Sequence, residues 1–599
     1  MTDLFDPAPT SFTTKVADLR DNLSAVRTHR MFSTFEALLI KFSPSERLAL
    51  YILTSIFAFG AFGLVAIINR SVSVEMPVPG GELVEGEIGT ARFINPLLMV
   101  SQSDQDIATL VYSGLVRVGH DDTIIPDLAS SYTVSPDGTT YTFHIRKDAT
   151  FHDGAPLTAA DVLFTVALAQ NAQLNSRQRA NWEGVRVSSP DQYTVVFTLS
   201  QAYAPFIENA SIGILPKHIW QEVAIEDFSF SAFNTHPIGS GPYKIASVAN
   251  DSTGSVTQYD LVPFGGFTLG KSYLSRIIFV FFHDKKTMIE AFDAHKINAL
   301  AGIDPEIVGD ITRTDTRQIN SPLPRVFGVF FNQSHNPVLT DLSVREALNA
   351  AVDKEAIVND ILKGHGSVLD GPIPPIAHVD HADSTSMNTA TTSELLVERA
   401  RAILDRGGWS FNVSTGVWTK NKQTLSLTLS TSDASELVET ANAVARNWRA
   451  VGVLVRVAVY PATELNRSII RPRNYDAILF GEVVGRELDL YAFWESKERN
   501  DPGLNLALYA NSQADSILAK ARATHDRSDR ATLYEQFARV LDKDQPAVFL
   551  YAPLYSCGKD TSAGQTVKQF VHIRDSTTHQ SPPDRQHLRK MRLADDGRN

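Results

Sequence analysis

Positions 48–68 read LALYILTSIFAFGAFGLVAII, 21 consecutive residues without a charge. As a helix at 1.5 Å rise this run covers about 31 Å, enough to cross a hydrocarbon core. It lacks the polar stripe that a helix lying on a soluble core would carry. The pattern therefore predicts a transmembrane helix over 48–68. Beyond position 80 the pattern changes. Tyr141, Phe143 and Ile145 alternate with Thr142, His144 and Arg146, the period of a strand with one buried face. Runs at 194–199 and 277–282 also read as strands, and 344–351 and 394–404 carry helical spacing. Ser135-Pro136-Asp137-Gly138 is a tight turn, and Phe151-His152-Asp153-Gly154 is a second. Thr158 with Asp161 forms a capping-box pattern that opens a helix through Val162, Leu163 and Val166. Strands separated by helix-length segments predict α/β lobes, and the 599-residue length exceeds what one hydrophobic core spans. The stretches 321–325 and 369–383, rich in proline or polar residues, read as loops.

The stretch 126–165, PDLASSYTVSPDGTTYTFHIRKDATFHDGAPLTAADVLFT, has no nucleophile, metal cage or phosphate loop. Its order of elements resembles the family 5 extracytoplasmic solute-binding proteins of ABC importers, the peptide- and nickel-binding type. The likeness rests on a Pro-x-Leu-Ala start, an Asp-Gly turn, a Tyr-x-Phe strand, an Arg, and Phe-x-Asp-Gly-x-Pro-x-Thr-Ala-x-Asp-Val. Further landmarks follow in order: Gly239-Ser240-Gly241-Pro242-Tyr243, Phe331-Asn332, Val344-Arg345-x-Ala347-Leu348, the GPIPP of 371–375, Gly407-Gly408-Trp409 and Tyr475-Asp476. The resemblance covers roughly 80–574, and several ordered motifs together are far more specific than any one of them. It implies an α/β, two-lobed, periplasmic-binding-protein-like fold (type II, cluster C) with a hinge, preceded here by one N-terminal transmembrane helix. One lobe is expected from 80–302 plus 546–580 and the other from 303–545, with a polar tail at 581–599.

Charge orients the membrane element. Arg30, Lys41 and Arg47 precede the apolar run, whereas Arg70 follows it with Glu75, Glu82, Glu85 and Glu87. The positive-inside rule puts 1–47 in the cytoplasm and the large body outside. The arm holds six basic and six acidic residues, and Phe35, Leu38, Leu39 and Phe42 fall at helical spacing within it. A cleaved signal peptide is the competing reading, with Ser71-Val72-Ser73 as a weak cleavage site. The single cysteine, Cys557, allows no intramolecular disulfide. With no cysteine just after the apolar run, a lipid tether of the kind many relatives use is replaced by the helix. A net charge of −12 argues against a nucleic-acid partner.

Enzyme signatures are missing: there is no G-x-S-x-G, H-E-x-x-H, Walker loop or G-x-G-x-x-G after a strand. His152-Asp153 reads better as a turn-holding pair than as a base and its orienter. His378, Asp380, His381 and Asp383 form a His/Asp cluster that reads as a solvated loop, so no metal or other cofactor is expected. The ligand question turns on 475–496, YDAILFGEVVGRELDLYAFWES. There the resemblance implies Gly-Trp-x-x-Asp, whose Asp pairs with a peptide α-ammonium. In this chain Gly481 is followed by Glu482, and Gly485 takes the place of that Asp. Arg486, Glu487 and Asp489 are expected to rebuild a charged, ligand-facing site. Because Gly485 has no charge to lose, Gly485→Asp is expected not to abolish ligand binding. Segment 429–433, LSTSD, lacks the arginine that dipeptide binders use for a ligand carboxylate, which favours longer peptides held through their main chain. Asn332, Gln333, Trp494, Asn505 and Tyr509 are further candidates. The expected function is capture of an oligopeptide or other small solute for an ABC permease and its ATPase subunits. A sensing or envelope-interaction protein that keeps the fold is the alternative.

Overall fold

The computed structural model describes residues 42–72, 79–119, 123–301, 311–313, 316–375 and 392–560. It divides into two units, Met1–Pro77 and Val78–Asn599.

In the first unit, one helix spans Pro44–Val72. Its start is fixed locally. The Ser43 backbone N–H and hydroxyl both donate to the Glu46 carboxylate, at 2.8 and 2.9 Å, and a negative charge suits a helix N-terminus. Phe57, Phe59 and Phe62 are each more than three-quarters exposed, so no protein core accounts for their apolar character. By length and composition the helix can cross a membrane.

In the second unit, hydrophobic periodicity builds two lobes with separate cores. The first core joins residues between Leu83 and Ala299, among them Tyr141, Phe143, Trp182 and Phe197. Two other clusters, holding Phe331 with Trp448 and Phe330 with Trp494, lie within 326–552. A continuous ladder links the lobes. In order, its strands are Leu454–Tyr460, Ser426–Ser432, Ala477–Val483, Arg325–Phe331, Ala547–Asp560, Ala299–Leu300, Glu82–Ile88, Arg276–Phe282, Val256–Pro263 and Tyr243–Asn250. A smaller four-stranded sheet in the first lobe contains Ala129–Val134 and Thr140–Ile145, the predicted alternating strand.

The Ala547–Asp560 strand serves both lobes. Its first half pairs with Arg325–Phe331, and its last residues reach Ala299 and Leu300. Alongside it Thr316–Pro322 runs antiparallel over residues 554–560. Two boundaries therefore differ from the expectation. The return to the first lobe does not begin at 546, because residues 548–552 are buried in the cores of the second lobe. Stretch 321–325 is only in part a loop. Its first two residues end one strand and Arg325 begins the next, since Ser321 and Pro322 find partners on the C-terminal strand. The helices Leu342–Ala350 and Ser393–Arg406 form where the periodicity placed them. At the Ala159–Gln170 helix, the Asp161 carboxylate accepts from the Thr158 N–H and hydroxyl, both at 2.9 Å. Residues 1–41, the 581–599 tail and the His378, Asp380, His381 and Asp383 cluster lie outside the described residues, and so do the expectations for them.

Candidate ligand cleft

Between the lobes of the second unit lies a cavity of about 770 Å³. One wall comes from the first lobe: Tyr112, Arg117 and Asp127, then Tyr203, Glu208 and Ile212. The other wall is the loop Val484–Asp489 with Ala492 and Phe493.

The second-lobe wall is shaped by backbone. Gly485 has φ +72° and Leu488 +48°, a path that turns the chain back so that the Asp489 N–H reaches the Val484 carbonyl at 3.0 Å. Gly485 is glycine because that left-handed conformation costs other residues free energy. A Cβ there would also sit 3.5 Å from Glu208 Oε2. Gly485→Asp would therefore add backbone strain and face one carboxylate with another. The loop's acids are held from behind. Arg530 donates to Glu487, both side chains being buried, and Arg522 donates to Asp489 at 2.9 Å. Burial raises the Asp489 carboxyl above the usual carboxylate range, against the pull of Arg522.

The first-lobe wall carries Glu208 on the short Phe206–Asn209 helix. Burial raises its carboxyl above the usual range, and the neighbouring Glu487 charge adds to this. The Glu487 and Arg486 backbone N–H groups and the Arg486 charge act the other way. The Glu487 N–H is 3.4 Å from Oε2. Arg117 pairs with Asp127 at 3.2 Å within the same wall.

At the rim the lobes touch directly. The Arg522 guanidinium lies between the Tyr203 and Tyr491 rings, 4.7 and 4.4 Å from their centroids. The Ala204 N–H donates to the Arg522 carbonyl at 2.8 Å. The Tyr141 hydroxyl donates to the Tyr203 carbonyl and meets His525 Nε2, each at 2.9 Å.

Gly485, Arg486, Glu487 and Asp489 thus come together on the cavity, and the other candidates do not. Strand alternation turns Glu482 into the protein. It is 3% exposed, neither carboxylate oxygen has a hydrogen-bond partner among the described residues, and burial raises its carboxyl well above the usual range. Gly481 packs under Phe327, whose ring would be 2.6 Å from an added Cβ. Trp494 is fully buried against Phe330, Tyr509, Phe537 and Phe549. Asn505 bonds the Glu495 and Tyr509 backbones, and Tyr509 donates to Asp544 at 2.6 Å. The Asn332 amide donates to the Arg473 carbonyl at 2.9 Å and accepts from the Ser334 and His335 N–H groups, while Gln333 accepts from Arg345. These residues build the lobe that carries the loop. Glu208, Tyr203 and Arg117 were not anticipated, because no local pattern marks a side chain whose partners lie on another lobe.

His152 and Asp153 hold turns. Asp153 accepts the Ala155 N–H at 3.0 Å and meets His218 Nε2 at 2.8 Å. His152 Nδ1 accepts the Gly239 N–H at 3.3 Å, so Nε2 donates to the Gly241 carbonyl at 3.1 Å. Burial pushes this imidazole down to about 4, so it is neutral at physiological pH. Among the described residues no group of three His, Cys, Asp or Glu side chains is placed to hold a metal ion.

Comparison with known proteins gives a consistent answer. The profile of the bacterial extracellular solute-binding proteins, family 5 Middle, matches residues 123–500. The oligopeptide-binding protein AppA of Bacillus subtilis is 28% identical over 487 residues, covering 80% of this chain and 88% of that protein. The nickel-binding periplasmic protein of Escherichia coli is 27% identical over 533 residues, 83% of this chain and 91% of its own length. The solved structure of B. subtilis AppA in complex with a nonapeptide superposes with a TM-score of 0.59 at 26% identity, covering 81% of this chain and 95% of that one.

Proposed function

The chain belongs to family 5 of the bacterial extracellular solute-binding proteins, and from that premise we propose that it captures a peptide-like ligand between its lobes for delivery to an ABC permease. The observation that carries the reading is the cavity lined from both lobes, with 485–489 on one side and Glu208 on the other. A ligand that touches both walls stabilises the closed arrangement by its differential affinity, so no covalent chemistry is needed. ATP is used by the partner ATPase. The ladder of Thr316–Pro322 on Ala547–Asp560 is the hinge in this reading. The relatives whose names include oligopeptide-binding and dipeptide-binding support a peptide over other solutes, as does a cavity with few side-chain cations left for a ligand carboxylate.

The apolar Pro44–Val72 helix supplies the anchor, with the N-terminal arm in the cytoplasm and the binding body on the outer side. The test is mass spectrometry of small molecules released by denaturing the full-length chain purified in detergent, against a mock preparation. A ladder of peptides of mixed sequence is the expected result. A single non-peptide species, or a cleft that no peptide pool stabilises against heat, overturns the assignment.

A further inference from the structure

Four carboxylates line the cavity, and three have an arginine in contact: Asp127 with Arg117, Glu487 with Arg530, and Asp489 with Arg522. Glu208 is the fourth. Among the described residues no lysine or arginine nitrogen lies within the 4.0 Å of a salt bridge from it. Its hydrogen-bond donors come from the facing lobe, the backbone N–H of Glu487 at 3.4 Å and that of Arg486, and the Arg486 charge attracts it from farther away. The absence of a side chain at 485 leaves backbone and open cavity beside Oε2. The carboxylate thus presents lone pairs to a space enclosed by both lobes.

A carboxylate in water needs no counter-ion, but one enclosed between two protein walls loses hydration that weak backbone donors do not replace. Bringing the walls together over Glu208 is therefore electrostatically costly while the cavity holds only water. A cationic group in the cavity offsets that cost, because a charge-assisted N–H···O bond is roughly twice as strong as a neutral one.

We infer that Glu208 is the ligand-selecting residue of the cleft: it receives a primary ammonium or guanidinium of the ligand and makes lobe closure conditional on that positive charge. This rests on the capture reading above and adds the chemical class of ligand. The selecting charge sits on the first lobe, while the loop that the sequence marked as ligand-facing lies on the second and keeps its acids for its own arginines. A ligand cation held by Glu208 lies against the Arg486 and Glu487 backbone, so one group bridges both walls.

The test uses the full-length chain in detergent and two probes. One is a pool of randomised pentapeptides without lysine or arginine and with free amino termini; the other is the same pool N-acetylated. Binding is measured by titration calorimetry for the native chain and for Glu208→Gln, whose melting temperature checks that it folds. The native chain is expected to prefer the free-amine pool by on the order of tenfold or more, the range of one charge-assisted bond. Glu208→Gln is expected to lose that preference while its affinity for the acetylated pool is unchanged. Equal binding of the two pools by the native chain, or a preference that survives in Glu208→Gln, overturns the role of Glu208 and leaves peptide capture standing. Binding of neither pool by the native chain overturns the capture reading and this inference with it. If Glu208→Gln does not fold, the native-chain comparison decides alone.

Discussion

The turn at 239–243 and the loop at 484–489 are both glycine-bearing bends beside titratable side chains, yet they are held in opposite ways. At the first, every contact stays within one lobe. Gly241 donates its N–H to the Val111 carbonyl at 2.8 Å, His152 clamps the turn from the other side, and a Cβ on Gly239 would overlap the Val111 carbonyl. At the second, the glycine is required by a left-handed φ, and the contact to Glu208 spans 279 positions and two lobes. A motif whose partners are near and rigid identifies the frame. A loop whose partners belong to another body is where binding energy can be converted into movement.

The sharpest way to break this comparison is Gly239→Ala. With a backbone carbonyl in the path of the new methyl group, the frame has nothing flexible to yield, and a loss of about 4–5 kcal/mol is expected. Gly265→Ala, with open space around its Cβ, is the control and should melt close to the native chain. Similar melting of the two variants would show that the turn is not a close-packed element.

Next in size is Glu487→Ala, which leaves the buried Arg530 without its partner. The expected cost is about 3 kcal/mol in chemical denaturation, with weakened ligand binding because the loop loses its support. Unchanged stability with lost binding would instead make Glu487 a direct ligand contact.

The smallest effect concerns Glu482, the buried acid just before the loop. Its carboxyl is raised by burial, so its folded value lies above its unfolded one. The stability it contributes is complete below the unfolded value and is lost as pH rises through the folded one. Glu482→Gln is expected to flatten the decline of melting temperature as pH rises above the ordinary carboxylate range. Parallel curves for the two proteins would mean that the Glu482 carboxyl titrates alike in the folded and unfolded chains and is not raised by burial.

The same contrast explains what could be read from the chain alone. The strand at 140–145, the Thr158 and Asp161 cap, the Asp153 turn and the helices at 342–350 and 393–406 all rest on partners a few residues away or on a simple period, and they were legible. The loop 485–489 was found through the resemblance, which pointed to the position but not to the function of each acid. Glu487 and Asp489 face the cavity yet are tied to Arg530 and Arg522, residues 43 and 33 positions later. Trp494 and Tyr509 have the chemistry of ligand contacts, but they sit on the inner face of a helix and a turn, where the core takes aromatic rings for their area. Glu208 lies in a four-residue helix with no periodicity to orient it, so its place on the cavity emerges only when the second lobe is set opposite.

The Ala547–Asp560 strand has a mechanical consequence. A backbone ribbon hydrogen-bonded to Thr316–Pro322 over residues 554–560 resists stretching more than it resists torsion. If the proposed hinge operates, two bodies tied by such a ribbon would turn about it more readily than they would slide or separate. In the proposed capture reading, their motion would reduce to a single angular coordinate, and a ligand of any length would act by setting that one angle.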